Sequence, residues 1–220
     1  MRSRRRWLPV AILLALAGCQ EPVAPLDQHH VVADVMKSPT AFRDTTTTLR
    51  QSPSAPALET YQVSFWAHND QASTVIVNYL PAAGAGDEGE ESGLPFLRFD
   101  VPRGALRAGP TGLHLGRRDS TFITLTIDPV TFAVVFQPSG LMFSRKHPAI
   151  LSIWYGNADP DLNGDGVVDA ADQALMNQIA IWGRNTPQSP RWRETSSRTE
   201  MGEQWVTAAL RHFSEYAVSW

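Results

Sequence analysis

From residue 61 onward, apolar side chains recur with a period of two. Tyr61, Val63 and Phe65 alternate with Gln62 and Ser64, and Val75, Val77 and Tyr79 with Thr74, Ile76 and Asn78. Leu97, Phe99 and Val101 alternate with Arg98 and Asp100, and Thr121, Ile123, Leu125 and Ile127 with Phe122, Thr124 and Thr126. Successive side chains of an extended chain point to opposite faces, so each run gives one face to a core and one outward. Further strands are expected over 131–136, 149–154, 178–183 and 205–220. Turn formers separate them: Pro81 to Gly93, Arg103-Gly104, Asp128-Pro129 and Pro138-Ser139-Gly140. Many short strands punctuated this way predict a mostly β fold, an antiparallel β-sandwich over 59–220. With 220 residues, 43% of them apolar and seven of them Trp, the chain is long enough to bury a core.

The N-terminus reads as an address. Arg2, Arg4, Arg5 and Arg6 precede an apolar run over 7–17 that ends in Leu16-Ala17-Gly18-Cys19. The run is shorter than the roughly 18 residues a spanning helix needs, but it suits a signal-peptide core. The ending resembles the lipobox of bacterial lipoproteins, where small residues admit the peptidase and a thiol takes a diacylglycerol. Residues 1–18 are therefore expected to be removed, and Cys19, the single Cys of the chain, to be lipidated. The lipid implies membrane anchorage of a folded part that stays in water. Gln20 in place of an Asp favours the outer membrane. Cleavage also removes four of the 19 Lys and Arg against 22 Asp and Glu, which leaves the chain more acidic than its formal charge of −3.

Residues 19–58 contain Pro22, Pro25, Pro39, Pro53, Pro56 and the run Thr45 to Thr48, without periodicity. This composition predicts a flexible tether. His29-His30 lies in it and reads as a solvated pair. The acidic, Gly-rich stretch Gly84 to Gly93 reads as a mobile loop, and its Glu88, Glu90 and Glu91 as solvated charges.

The sharpest motif is Asp161-Leu-Asn-Gly-Asp-Gly-Val-Val-Asp-Ala-Ala-Asp172. Asp161, Asn163, Asp165, Asp169 and Asp172 place oxygens at loop positions 1, 3, 5, 9 and 12, and Val167 offers its carbonyl at position 7. Gly166 stands at position 6, where the turn needs a positive φ. A hard cation takes about six to eight oxygens, so Ca²⁺ is the expected cofactor. Leu175, Met176, Ile179 and Trp182 then fall on one face of an expected exit helix. The loop resembles those of dockerins, with Asp172 in place of the usual Glu. A dockerin has two loops at a chain end, whereas this single loop precedes more strand-like sequence. A structural ion within an insert at 159–182 is therefore expected, with a dockerin-like or carbohydrate-associated adaptor as the alternative.

Four further pieces, in order, resemble the ZU-type β-sandwich of ankyrins and netrin receptors. They are Leu97-Arg-Phe-Asp-Val-Pro-Arg-Gly-Ala-Leu106, Phe136-Gln-Pro-Ser-Gly-Leu-Met-Phe143, Pro148-Ala-Ile-Leu-Ser-Ile-Trp-Tyr155 and His212-Phe-Ser-Glu-Tyr-Ala-Val218. The Asp-rich loop and its helix are an insertion relative to that family. The resemblance implies a protein-binding scaffold. In some relatives His-Phe-Ser is a self-cleavage motif, which here would make His212 and Ser214 catalytic and cut between Phe213 and Ser214. Against that, the even residues from Val206 to Trp220 share one strand face, so both side chains are expected to be structural.

Other chemistry is thin. His68, His114 and His147 are isolated, and no Ser-His-Asp spacing or phosphate-binding Gly loop stands out. The acidic balance and absence of a basic field exclude nucleic acid as a partner. A single Cys excludes disulfide scaffolds and Cys-rich metal sites. Trp66, Trp154, Trp182, Trp192, Trp205 and Trp220 are expected in the core rather than on a sugar platform. The resulting expectation is a lipid-anchored, calcium-stabilised, non-enzymatic binding or scaffold protein of the cell envelope, with an envelope protein or glycan as partner.

Overall fold

The computed structural model describes residues 42–43, 47–81, 93–185 and 189–220. The signal segment, Cys19, His29-His30 and Glu88, Glu90 and Glu91 lie outside the described residues. The strands in chain order are β1 (Phe42–Arg43), β2 (Gln62–His68), β3 (Ser73–Asn78), β4 (Pro95–Val101), β5 (Leu106–Ala108), β6 (Ser120–Ile127) and β7 (Ala133–Gln137). They continue with β8 (Met142–Phe143), β9 (Ala149–Trp154), β10 (Ala180–Arg184), β11 (Trp192–Glu194), β12 (Ser197–Glu200), β13 (Trp205–Leu210) and β14 (Glu215–Ser219). Among the described residues a single short helix, α1 (Ala170–Met176), stands between β9 and β10.

The expected antiparallel β-sandwich is present. A seven-stranded sheet in the order β1-β11-β10-β14-β7-β6-β2 faces a five-stranded sheet in the order β12-β13-β9-β4-β3, and β5-β8 form a small third sheet. Alternation dictates the faces as read from sequence: Ile123, Leu125 and Ile127 of β6 are buried while Phe122 is exposed. Aromatic rings fill the space between the sheets. Phe136 lies 5.0 Å from Phe99 and 4.9 Å from Phe213, and Phe143 lies 5.0 Å from Phe213. Such pairs add roughly 0.5–1.5 kcal/mol each beyond the area they bury.

Four expectations are corrected. The tether expected through residue 58 gives way to the fold earlier, because Leu49 and Leu58 are buried. The backbone there is also tied down, with bridges Thr48 to Ser219 and Leu58 to Tyr79. The single strand expected over 205–220 is two. β13 pairs with β9 in one sheet, and β14 pairs with β10 and β7 in the other. Residues 211–214 carry the chain across, and there the alternation breaks: His212 is exposed and Phe213 buried, while Val206, Ala208, Leu210, Tyr216 and Val218 face the core on either side. The exit helix stops at Met176, capped by Asn177. Leu175 and Met176 pack on the core from the helix, but Ile179 follows it and Trp182 lies on β10. The β-branched and aromatic run Ile181-Trp182 favours a strand, and pairing with β14 takes it. The Trp expectation fails at Trp66, which is 58% exposed on edge strand β2, its ring centroid 5.3 Å from that of Phe122.

The seven-stranded sheet also covers part of its outer face. Ile181 and Val218 face the main core, so their neighbours Trp182 and Ala217 face away, and with Trp192, Ala133 and Ala180 they form a second apolar cluster.

The register gives the sandwich two distinct ends. β9 starts at Ala149 opposite Leu210, and β2 ends at His68 opposite Ser120. The β2–β3, β4–β5, β5–β6 and β8–β9 connections and the 211–214 crossover therefore gather at one end. Trp154, Ala180 and Ser219 lie toward the other, with the Asp-rich insert between β9 and β10.

Candidate functional site

The insert leaves β9 in the five-stranded sheet and returns as β10 in the seven-stranded one. Leu162 and Ile179, both buried, pin its two ends to the core. Between them the loop is wrapped by its own carboxylates. Asp161 Oδ1 accepts the backbone N–H of Gly164 at 2.8 Å and of Asp165 at 3.2 Å, and Oδ2 accepts that of Gly166 at 2.8 Å. Gly164 and Gly166 have φ of 75° and 84°, a region that side chains with a Cβ enter at a cost, so the turn sequence follows from the backbone path.

Asp172 closes the loop. Its Oδ1 accepts N–H groups from Leu162 at 2.8 Å and Asn163 at 3.1 Å, and its Oδ2 accepts that of Asp169 at 2.9 Å. Asp169 in return accepts from Ala171 at 2.7 Å, which makes a capping box at the start of α1. The N–H of Asp169, then that of Asn163, hold the Asp172 carboxyl below the usual carboxylate range; burial opposes this and Leu162 adds to it. Asp172 is only 3% exposed, whereas the loop from Asn163 to Ala171 is exposed. Sequence reasoning placed Asp172 as the last ligand; its role as the buried acceptor that joins both ends of the loop was legible only as an acidic N3 residue.

Oxygen donors of this kind are what a hard cation takes. All six expected donors are oxygens, and among the described residues none of the four Asp carboxylates forms an ion pair. Their side chains are not gathered as a cage: among the described residues no three His, Cys, Asp or Glu groups are arranged to hold a metal. Asn163 Oδ1 accepts Asp165 N–H at 2.9 Å, and Asp165 Oδ1 accepts Val167 N–H at 2.9 Å, so both oxygens already face the loop.

The His212-Phe213-Ser214 segment forms the crossover from β13 to β14. Phe213 is buried among Phe99, Phe136 and Phe143. Its N–H donates to Leu141 at 2.7 Å and its carbonyl accepts from Gly140 at 3.2 Å. Ser214 Oγ donates to the Arg184 carbonyl. The exposed His212 has Nδ1 3.4 Å from the Phe213 carbonyl oxygen, and its own carbonyl accepts the Tyr216 hydroxyl at 2.7 Å. Among the described residues His212 and Ser214 share no hydrogen bond. Burial raises the Tyr216 phenol far above its ordinary value.

Sequence reasoning missed what surrounds Ser214. Glu215 is buried and meets Arg184 in a bidentate pair, Nε and Nη2 each 2.8 Å from a carboxylate oxygen. The Arg184 guanidinium also lies 4.7 Å from the Trp192 ring centroid. A charged residue directly before the apolar run Tyr216-Ala-Val218 was the available signal. His114 and His147, isolated in sequence, line one cleft, which His68 does not line. No family model matches the chain, and no curated protein or solved structure shows significant similarity to it.

Proposed function

We propose that this chain is a calcium-stabilised β-sandwich carried on the bacterial cell envelope by a lipid at Cys19, serving as a binding or scaffold module rather than an enzyme. The observation that carries the reading is the 161–172 loop. Its backbone is wrapped about Asp161 and Asp172, while four carboxylates stand in twelve residues without a cationic partner among the described residues. Calcium would be held by Asp161, Asn163, Asp165, the Val167 carbonyl, Asp169 and Asp172, and it supplies positive charge that the chain itself lacks there. Because the loop joins strands of different sheets, an ion bound to the folded state strengthens a connection between the layers.

The partner is an envelope protein or glycan, and the outer membrane is the expected location. Equilibrium dialysis with calcium tests the reading: one ion per chain, with a dissociation constant of roughly 10⁻⁴–10⁻³ M as in extracellular modules, is the expected result. Absence of binding at millimolar calcium, or equal binding by Asp161→Ala, refutes it. The anchor is tested separately by fractionating cells that express Cys19→Ser, which should leave the membrane fraction.

A further inference from the structure

The end of the sandwich opposite the calcium loop carries a cleft of about 640 Å³. Its lining includes Arg103, Arg107, Arg117, His114, His147 and Ser144, and no acidic side chain. Residues 103–147 contain six Lys and Arg against two Asp, in a chain where acidic residues outnumber basic ones by 22 to 19. Among the described residues, none of the three lining arginines forms an ion pair, whereas Arg98, Arg184 and Arg198 each do. Asp119 is the nearest acid in sequence, and its Oδ2 accepts the Gly116 N–H at 2.6 Å. Cationic side chains set around one cleft without an acidic neighbour among its lining favour an anion there.

The cleft is held in shape by buried polar contacts. Asn69, 6% exposed, accepts the Leu106 N–H at 3.0 Å and donates to the carbonyls of Leu106 at 2.9 Å and Gly116 at 3.0 Å. Its own carbonyl accepts the Gly104 N–H at 2.9 Å, and its N–H donates to Asp119 at 2.9 Å. One buried residue on the β2–β3 turn thus ties together the 102–105 turn with Arg103, strand β5 with Arg107 and the 109–119 loop with Arg117. Ser144 joins the assembly through its N–H, which donates to Ala105 at 2.7 Å. Fixing the backbone that bears the arginines removes that part of the ordering cost of binding.

We infer that this cleft is an oxyanion site that takes a phosphate group, either free or as a phosphate monoester. Three guanidinium forks match tetrahedral oxygens in pairs, and the Ser144 hydroxyl adds a neutral donor. The site is independent of the calcium loop, since β9 separates them along its full length.

The test is calorimetric titration of the purified full-length chain, in a non-ionic detergent, with inorganic phosphate and with glycerol 3-phosphate. The expected result is saturable binding at one site, weakened about tenfold or more by Arg107→Ala or Arg117→Ala, since each removes a charged hydrogen-bond donor. Arg107→Lys, which keeps the charge and loses the fork, falls between. Arg198→Ala, which removes the same charge from β12, binds like the parent chain. Tighter binding of glycerol 3-phosphate identifies an ester as the source, and tighter binding of inorganic phosphate the free ion. No saturable binding of either probe, or equal weakening by Arg198→Ala, overturns the site.

Discussion

Truncating Phe213 to Ala separates the two readings of the 212–214 segment. The ring is 1% exposed and sits 4.9 Å from Phe136, 5.0 Å from Phe143 and 5.8 Å from Phe99. Its neighbours belong to the β7–β8 region and to β4 of the opposite sheet, so the space cannot close by a local shift. Phe→Ala at such a site costs about 3–5 kcal/mol. For a domain of this size each kcal/mol moves the melting temperature by about 2–4 °C. A fall of roughly 6–20 °C is therefore expected in calorimetry. Ser214→Ala removes the donor to the Arg184 carbonyl and should cost less, about 1–3 kcal/mol. Denaturing mass spectrometry of the parent chain should show a C-terminus that ends at Trp220. A Phe213→Ala melting temperature within about 2 °C of the parent would refute the crossover as a core anchor. A parent species lacking residues 214–220, restored to full mass by Ser214→Ala, would make the segment self-cleaving.

Three further outcomes follow from the geometry. Gly166→Ala should destabilise by about 1–2 kcal/mol through its backbone alone, since φ is 84° and no atom lies within 4 Å of the added Cβ; a neutral result in urea unfolding would contradict the loop path. Glu215→Ala leaves Arg184 without its buried partner and should cost about 3 kcal/mol or more, whereas Asp100→Ala, breaking the exposed pair with Arg98, should cost no more than about 1 kcal/mol; equal effects would refute the distinction. Because the folded Asp172 carboxyl lies below its ordinary value, its contribution is complete above about pH 4 and disappears as pH falls through the lower folded value. Asp172→Asn should flatten the acid limb of a stability–pH curve measured without calcium, and an unchanged limb would refute the assignment.

The architecture was legible because most strands carry their burial pattern in plain alternation. Ile123, Leu125 and Ile127 needed no tertiary information to be assigned inward. Alternation also misled, since the even residues from Val206 to Val218 keep one parity across a break that moves the chain between sheets. Nothing local marks that break; it is decided by Phe213, whose burial depends on residues seventy or more positions away, such as Phe136 and Phe143. The helix after the loop was overextended because Ile179 and Trp182 fit a helical face equally well, and pairing with β14 settled the matter. The loop motif was readable by spacing, whereas the hydrogen bonds that Asp172 accepts were not. The basic cleft was invisible, because Arg103, Arg117 and His147 are dispersed in sequence and only Asn69 and the strand register assemble their loops.

The calcium claim is tested most directly by thermal unfolding of the full-length chain in excess calcium and in chelator. Ligand that binds only the folded state adds about 2.7 kcal/mol at a hundredfold excess over the dissociation constant. At about 2–4 °C per kcal/mol the melting temperature should rise by roughly 5–11 °C with calcium, and Asp161→Ala should abolish the rise. Superimposable unfolding curves of the parent chain in calcium and in chelator would contradict the account.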